Sequence, residues 1–391
     1  MKTTNKNRTG LILGTLSFLF LFVFTVSIAG ALDKGTLTIG VLAPTTGTWA
    51  FEGGEMREGI TLAVEEINSK GGINGTLKID FVVEDTAGIP ATAVAAMEKL
   101  VGIHKVPVVI GAFGSSNTLA AQEVAKRKKT PLVTPISLAP KITQLGNIWV
   151  FRACDNSQMI SSVFTRWAVK DKKLSKWSFL AVNNDYGRGS VEAFSKTVKD
   201  LGGEIVSVDY FQLGETDYYS ALTKLKATDT QALCLMGETM DLSRLVNQFY
   251  ELGLDKKIIL MDPTSGTFND KFIELTKGKT EGMIGATRFI SSIQTPKAKA
   301  YVSAYKKRWG HEPEKYATSS YDTVHIVAQA IARADSVEPA AIREALTKTK
   351  YEGPQGKAYF DETNQLIIGE YIVVFRGGKF VVEAGPLEAV K

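Results

Sequence analysis

Cysteine and histidine are scarce in this chain of 391 residues. Two cysteines, Cys154 and Cys234, cannot frame a small disulfide-built fold. Three histidines, His104, His311 and His325, lie far apart and make no zinc-binding spacing with them, so no metal or other cofactor is expected. No GxSxG elbow is present, no histidine sits near a serine or cysteine motif, and no paired carboxylates occur in a setting that marks acid–base work. These absences argue against an enzyme. A strong charge of one sign is also missing. The 46 Lys and Arg oppose 41 Asp and Glu, a formal +5 that does not argue for nucleic-acid binding. With 44% apolar and 22% charged residues the composition is that of an ordinary globular protein, long enough for two or three domains. Past Ile28 no apolar run approaches membrane-spanning length.

The N-terminus carries an export pattern. Lys2, Lys6 and Arg8 give a positive start, and Leu11 to Ile28 is apolar except for Gly14, Thr15, Ser17, Thr25 and Ser27. Ala29-Gly30-Ala31 is a small-x-small cleavage site. Residues 1–31 are therefore expected to be a signal peptide cleaved after Ala31, and the protein to be soluble and periplasmic. The run is long for a signal core, so an uncleaved anchor is the competing reading. No cysteine near the cleavage site supports a lipid anchor. The segment holds three positive charges and no acid, so the basic balance belongs mostly to it. An oxidising compartment permits a Cys154–Cys234 bridge, although two separate buried thiols are the preferred reading.

Beyond this segment strand and helix patterns alternate. Thr36–Ala43, Leu77–Glu84, Val106–Gly111 and Pro131–Pro135 read as strands. Glu55–Lys70, Pro90–Val101 and the stretch from Gly114 to Lys128 read as helices, the first closed by Gly71-Gly72. A second series follows, with strands at Trp177–Asn183, Glu204–Tyr210, Gln231–Met236 and Lys257–Met261. Its helices are Gly189–Leu201, Tyr218–Ala227 and Asp241–Leu252. Such alternation predicts parallel sheets with right-handed crossovers, and two series predict two lobes; one large doubly wound enzyme domain is the alternative. Three helices then follow at Pro296–Trp309, Tyr316–Ala334 and Glu338–Lys348. Short strands at Lys357–Phe360, Tyr371–Phe375 and Lys379–Glu383 end the chain, the last two joined by a Gly377-Gly378 hairpin turn.

Strand ends supply the candidate binding groups. Gly111-Ala112-Phe113-Gly114-Ser115-Ser116 runs from a strand into a helix. Free N–H groups and partial positive charge at a helix N-terminus receive anions, and Ser115 and Ser116 add hydroxyl donors, so a carboxylate is a natural guest. Capping of the helix by either serine is the plainer role. The carboxyl end of a parallel strand is where open α/β sheets bind ligands. Lacking a phosphate-loop lysine and the GxGxxG spacing, the motif does not point to a nucleotide. The Pro135-Ile136-Ser137-Leu138-Ala139-Pro140 loop ends the next strand. Asn183–Gly189, Gly237-Glu238 and Asp262-Pro263-Thr264 end strands of the second series, and face the same cleft if the lobes face each other.

These residues carry a resemblance. TIGVLAPTTGTWAFEGGEMREGITLAVEEINSKGGING, VVIGAFGSSNT, PLVTPISLAP, NNDYGRGSVEAF, GETDYYSALTKLKATDTQAL, LVNQFYELGL and YDTVHIVAQAI follow one another in the order of the branched-chain amino acid (Leu/Ile/Val) substrate-binding proteins of ABC transporters. The chain resembles that family, which has the type I periplasmic binding protein fold, over nearly its whole length past residue 31. The resemblance implies an α/β fold with two Rossmann-like lobes, central parallel sheets and a three-stranded hinge. With crossovers near Ala153, Arg288 and Asn364, the first lobe would hold residues 32–153 and 289–364, and the second 154–288 and 365–391. It implies a receptor that traps a small ligand by hinge closure and delivers it to an inner-membrane ABC permease, or a periplasmic sensor subunit of similar fold. A monomer with no nucleic-acid partner is expected.

The resemblance also assigns roles. Ser115, followed by Ser116, matches the serine that binds the ligand carboxylate. Ile136, Ser137 and Leu138 match a loop of backbone donors, with Leu138 where the family has a threonine. Tyr186 matches a tyrosine of the site. Thr264 falls where the family holds the ligand ammonium with a glutamate, while Glu238 and Glu52 fall at aromatic positions. Trp49 and Tyr316 fall where side-chain selectivity is set. A buried ammonium requires a paired anion. An amino acid, the first choice of ligand, therefore needs Glu238 or Glu52. Without them an aromatic or aliphatic carboxylic acid is implied, and an amide or cationic ligand drawn to the extra glutamates is the third choice.

Overall fold

The computed structural model describes residues 1–3 and 35–388; the expected export run and its cleavage site lie outside these residues. The first lobe opens with β1 (Gly35–Ala43), α1 (Ala50–Ser69), β2 (Leu77–Asp85) and α2 (Pro90–Gly102). It continues with β3 (Val109–Ile110), α3 (Ser115–Lys128), β4 (Leu132–Thr134), α4 (Lys141–Gln144) and β5 (Val150–Arg152). All five strands are parallel, in the order β2-β1-β3-β4-β5. Helix α1 begins five residues earlier than expected. Gly53 is in the helix because its face meets the Pro44 carbonyl, which would lie 1.8 Å from a β-carbon.

The chain then enters the second lobe through α5 (Ser157–Asp171), β6 (Lys176–Val182), α6 (Asp185–Asp200), β7 (Glu204–Phe211) and α7 (Tyr219–Leu225). Next come β8 (Ala232–Met236), α8 (Thr239–Glu251), β9 (Ile259–Asp262), α9 (Asp270–Thr276) and β10 (Ile284–Thr287). Helix α5 has no counterpart in the sequence reading, because Ser161, Ser162 and Thr165 dilute its pattern. Asn156 caps it by accepting from the Met159 amide at 2.9 Å, and its apolar side is buried in the lobe's core through Ile160, Val163, Phe164 and Ala168.

After β10 the chain returns to the first lobe as α10 (Pro296–Trp309), α11 (Lys315–Ala334) and α12 (Pro339–Leu346). Together with α1 they cover one face of the first sheet, while α2 and α3 cover the other. A small antiparallel sheet of β11 (Lys350–Gly353), β12 (Gly356–Phe360) and β13 (Leu366–Ile367) follows, outside both main sheets. The chain ends with β14 (Glu370–Arg376) and β15 (Lys379–Leu387), which extend the second sheet to the order β15-β14-β10-β9-β8-β6-β7. This edge is antiparallel, unlike the rest of the sheet. Gly377 and Gly378 turn it at φ 59° and 83°, the left-handed pair that a tight hairpin requires.

Three passages therefore connect the lobes, and buried polar groups tie them together. Arg288, after β10, pairs with Asp155, after β5, at 2.8 Å. Arg152 donates through Nε to Gln365, on the third passage, at 2.6 Å, and Gln365 donates to the Cys154 carbonyl at 2.6 Å. Cys154, beside this cluster, and Cys234, in β8, are free buried thiols.

Candidate functional site

A cavity lies between the lobes. From the first lobe it is lined by Trp49, ahead of α1; Phe113, Gly114 and Ser115, after β3; Ile136, Ser137 and Leu138, after β4; and Lys315 and Tyr316, at the start of α11. Tyr186 and Glu238, after β6 and β8, line it from the second. Its apolar side is aromatic: the Phe113 ring lies 5.3 Å from both Trp49 and Tyr316, edge-on to the latter.

Neither serine of the β3–α3 motif caps the helix; Gly114 takes the cap position without a side-chain bond. Ser115 Oγ accepts from the Ala139 amide at 3.1 Å, which leaves its hydroxyl hydrogen free to donate. Ser116 Oγ instead donates across the lobes to Asp185 at 2.7 Å and accepts from the Asp185 amide at 3.2 Å. Lys141 also reaches Asp185. Burial raises the Asp185 carboxyl, but the hydrogen bonds from Lys141 and Ser116 outweigh it and hold the group below the usual carboxylate range. Ser116 is thus a contact between lobes.

In the proline loop, Ser137 lines the cavity but its hydroxyl serves the wall, donating to the Ala112 carbonyl at 3.0 Å and meeting Thr118 Oγ1 at 2.7 Å. Tyr186 belongs to the first turn of α6, which starts at Asp185 and not at Gly189, because Asn184 caps it through the Gly187 amide at 3.0 Å. The Tyr186 hydroxyl meets Thr264 Oγ1 at 2.7 Å. Thr264 therefore stands behind the wall, with a carboxylate of Asp262 behind it in turn at 3.1 Å.

Glu238 accepts from the Tyr316 hydroxyl across the cleft, and burial pushes its carboxyl up to about 8, with Lys315 opposing. Glu52 does not line the cavity. It is fully buried near Thr239 at the start of α8, and burial pushes it up to about 7. Lys315, absent from the sequence reading, sends its ammonium across to the Thr264 carbonyl and lies over the Tyr316 ring, 4.6 Å from its centroid. Phe113, inside the β3–α3 motif, also lines the wall, where its ring packs between Trp49 and Tyr316. Elsewhere on the first lobe Glu55, Glu58 and His311 cluster together; the Tyr305 hydroxyl donates to Glu58 and lies 3.2 Å from Glu55, and His311 meets Glu58 at 3.1 Å.

The model of the family described as periplasmic binding protein matches residues 36–379. A leucine-, isoleucine-, valine-, threonine- and alanine-binding protein of Pseudomonas aeruginosa is 30% identical over 85% of this chain and 87% of its own. The branched-chain amino acid transporter substrate-binding protein LivJ of Streptococcus pneumoniae, solved with isoleucine, superposes with a TM-score of 0.81 at 30% identity, covering 91% of this chain and 99% of that one. A solute-binding protein of an ABC transporter from R. palustris, solved with benzoate, shows the same fold with a TM-score of 0.84 at 21% identity, covering 91% and 98%.

Proposed function

Because the chain belongs to the periplasmic binding protein family, we propose that it is the exported, non-enzymatic solute receptor of an ABC transporter, taking a small carboxylate into the inter-lobe cleft and handing it to an inner-membrane permease. Residues 1–31 are the cleaved export signal, and the lobes comprise 32–153 with 289–364 and 154–288 with 365–391. The receptor acts as a monomer. The observation that carries this reading is the cavity at the strand ends of both lobes, where an aromatic wall meets the free hydroxyl hydrogen of Ser115 and the start of α3. Ligand contacts to both lobes favour the closed arrangement, so binding and closure are one equilibrium. In this reading Ser115 and the α3 amides hold the carboxylate, and Tyr186, braced by Thr264, closes the far side. Trp49, Tyr316, Ile136 and Leu138 shape the apolar end.

Two ligand classes fit. An amino acid, as bound by the 30%-identical relatives, would set its ammonium against Glu238; a carboxylic acid without an amino group would not need that acid. A thermal-shift screen over amino acids, aromatic and aliphatic acids, amides and polyamines is expected to give a melting shift without turnover. Ser115→Ala should then weaken the ligand by roughly 1–3 kcal/mol, the range for a hydrogen bond to a charged group. Unchanged affinity removes Ser115 from the site, and turnover of the ligand refutes the receptor reading.

A further inference from the structure

Lys315 sits where a lysine is doubly disfavoured. It is buried, and it is the first residue of α11, so its charge faces the positive end of the helix dipole. Its ammonium crosses to the other lobe and donates to the Thr264 carbonyl, over the face of Tyr316. Burial holds its amine below the ordinary lysine value, against the charges of Glu238 and Asp262, which act from beyond contact. Asp262 is already saturated, accepting from the amides and hydroxyls of Thr264 and Thr267. Glu238 accepts from Tyr316 through one oxygen, Oε2. An ammonium has three donors, and a buried one calls for an anion in direct contact.

The rest of the wall is also rich in unspent donors. The ring of Trp49 lines the cavity, and its indole N–H is buried without a partner. The Ser115 hydroxyl keeps its hydrogen free. The cavity thus offers donors from Trp49 and Ser115 that an anionic group on a ligand would satisfy.

We propose that Lys315 sets the ligand class: its ammonium occupies the second-lobe wall that a ligand ammonium would need, so the receptor selects carboxylic acids without an amino group over the matching α-amino acids. This rests on the carboxylate-receptor reading and narrows it. A ligand ammonium entering beside Glu238 would meet Lys315 as a like charge, whereas an uncharged tail meets Trp49, Phe113 and Tyr316.

The test uses matched pairs that differ only in the amino group: 3-phenylpropanoate against phenylalanine, and 4-methylpentanoate against leucine, titrated calorimetrically into the purified protein. The acid of at least one pair is expected to bind about tenfold or more tighter than its amino acid, the change that a lost charged contact brings. Lys315→Met should lower acid affinity by about tenfold or more and narrow or reverse the preference, while Lys315→Arg keeps it. Melting curves establish that each variant is folded, and if Lys315→Met is not, the wild-type preference alone decides. A wild type that prefers the amino acid of each pair, or a folded Lys315→Met that keeps both acid affinity and preference, overturns the role of Lys315. Binding of no carboxylate in the wider screen overturns the receptor reading itself.

Discussion

The Arg288–Asp155 pair joins the second passage between the lobes to the first, and removing the arginine tests whether the passages are held by charge. Both side chains are buried, at 3% and 2% exposure, with 2.8 Å between Nη1 and Oδ1. Arg288 also donates to Ser319 at 2.8 Å and to the Pro135 carbonyl at 3.2 Å. Burial alone would push the Asp155 carboxyl up, but the Arg288 charge leads a set of interactions that hold it below its ordinary value of 3.8. Arg288→Met leaves that carboxylate buried and unpaired, at a cost of about 3–5 kcal/mol. Replacing both members, as in Arg288→Met with Asp155→Leu, exchanges the pair for apolar volume and should recover the part of the loss due to the unpaired carboxylate, while the hydrogen bonds to Ser319 and Pro135 stay lost. Urea unfolding at pH 7, followed by fluorescence and circular dichroism, measures both. The pH dependence gives a second arm. In the wild type the pair contributes fully above the unfolded pKa and is lost as pH falls through the lower folded value. In Arg288→Met the Asp155 value rises instead, so its penalty is relieved as pH falls, and the gap between the two proteins should shrink from pH 7 toward pH 4. A loss below about 1 kcal/mol, or a double variant as weak as the single one, would refute a charge-held passage.

Asp185→Ala removes the carboxylate that takes Ser116 and Lys141 from the facing lobe, and should raise the ligand off-rate about tenfold with little change in on-rate in stopped-flow experiments; an unchanged off-rate would remove this contact from closure. The ligand-free protein should melt at progressively lower temperature as pH rises from about 5 to 8. Burial raises Glu52 to about 7 and Glu55 and Glu238 to about 8 from an ordinary 4.5, so the folded state keeps protons that the unfolded chain has released across that window. Glu55→Gln should flatten the slope, and a melting temperature that rises with pH would show that these groups are ionised at little cost.

Much of this fold can be read from periodicity because its elements are closed by glycine or proline and bury one continuous face, as α2 and α10 do from Pro90 and Pro296. What escapes is held by tertiary contact. Strands β5 and β10 are three and four residues long and buried throughout, too short for a period to show. The site divides the same way. Ser115, Ile136, Leu138, Tyr186 and Glu238 follow strands, and strand ends are predictable ligand positions. Lys315 follows no strand. In Glu314-Lys315-Tyr316 it has the sequence of a solvated helix start, and it becomes a cleft residue only where α11 meets the Thr264 carbonyl, 51 residues away in sequence. Ser116 is next to a predictable ligand group but points to the other lobe, a direction set by the first turn of α3.

The proline loop shows how the passages and the site are mechanically one unit. Its strand, β4, is only three residues long and could not by itself fix six residues of loop. Two buried arginines do so, each from a different passage. Arg288 takes the Pro135 carbonyl, while Arg152 takes the carbonyls of Ser137 at 3.3 Å, Ala139 at 2.5 Å and Pro140 at 3.2 Å. The Ala139 amide then orients Ser115 Oγ. A guanidinium spreads five donors in a rigid plane, so a shift of either passage must carry the loop with it or break several buried hydrogen bonds at once. A rotation of the lobes about the passages would therefore reach the Ser115 hydroxyl through Arg152 and the loop. The Ser115 hydroxyl, to which the proposed function gives the ligand carboxylate, is positioned by the passages as well as by the helix it starts.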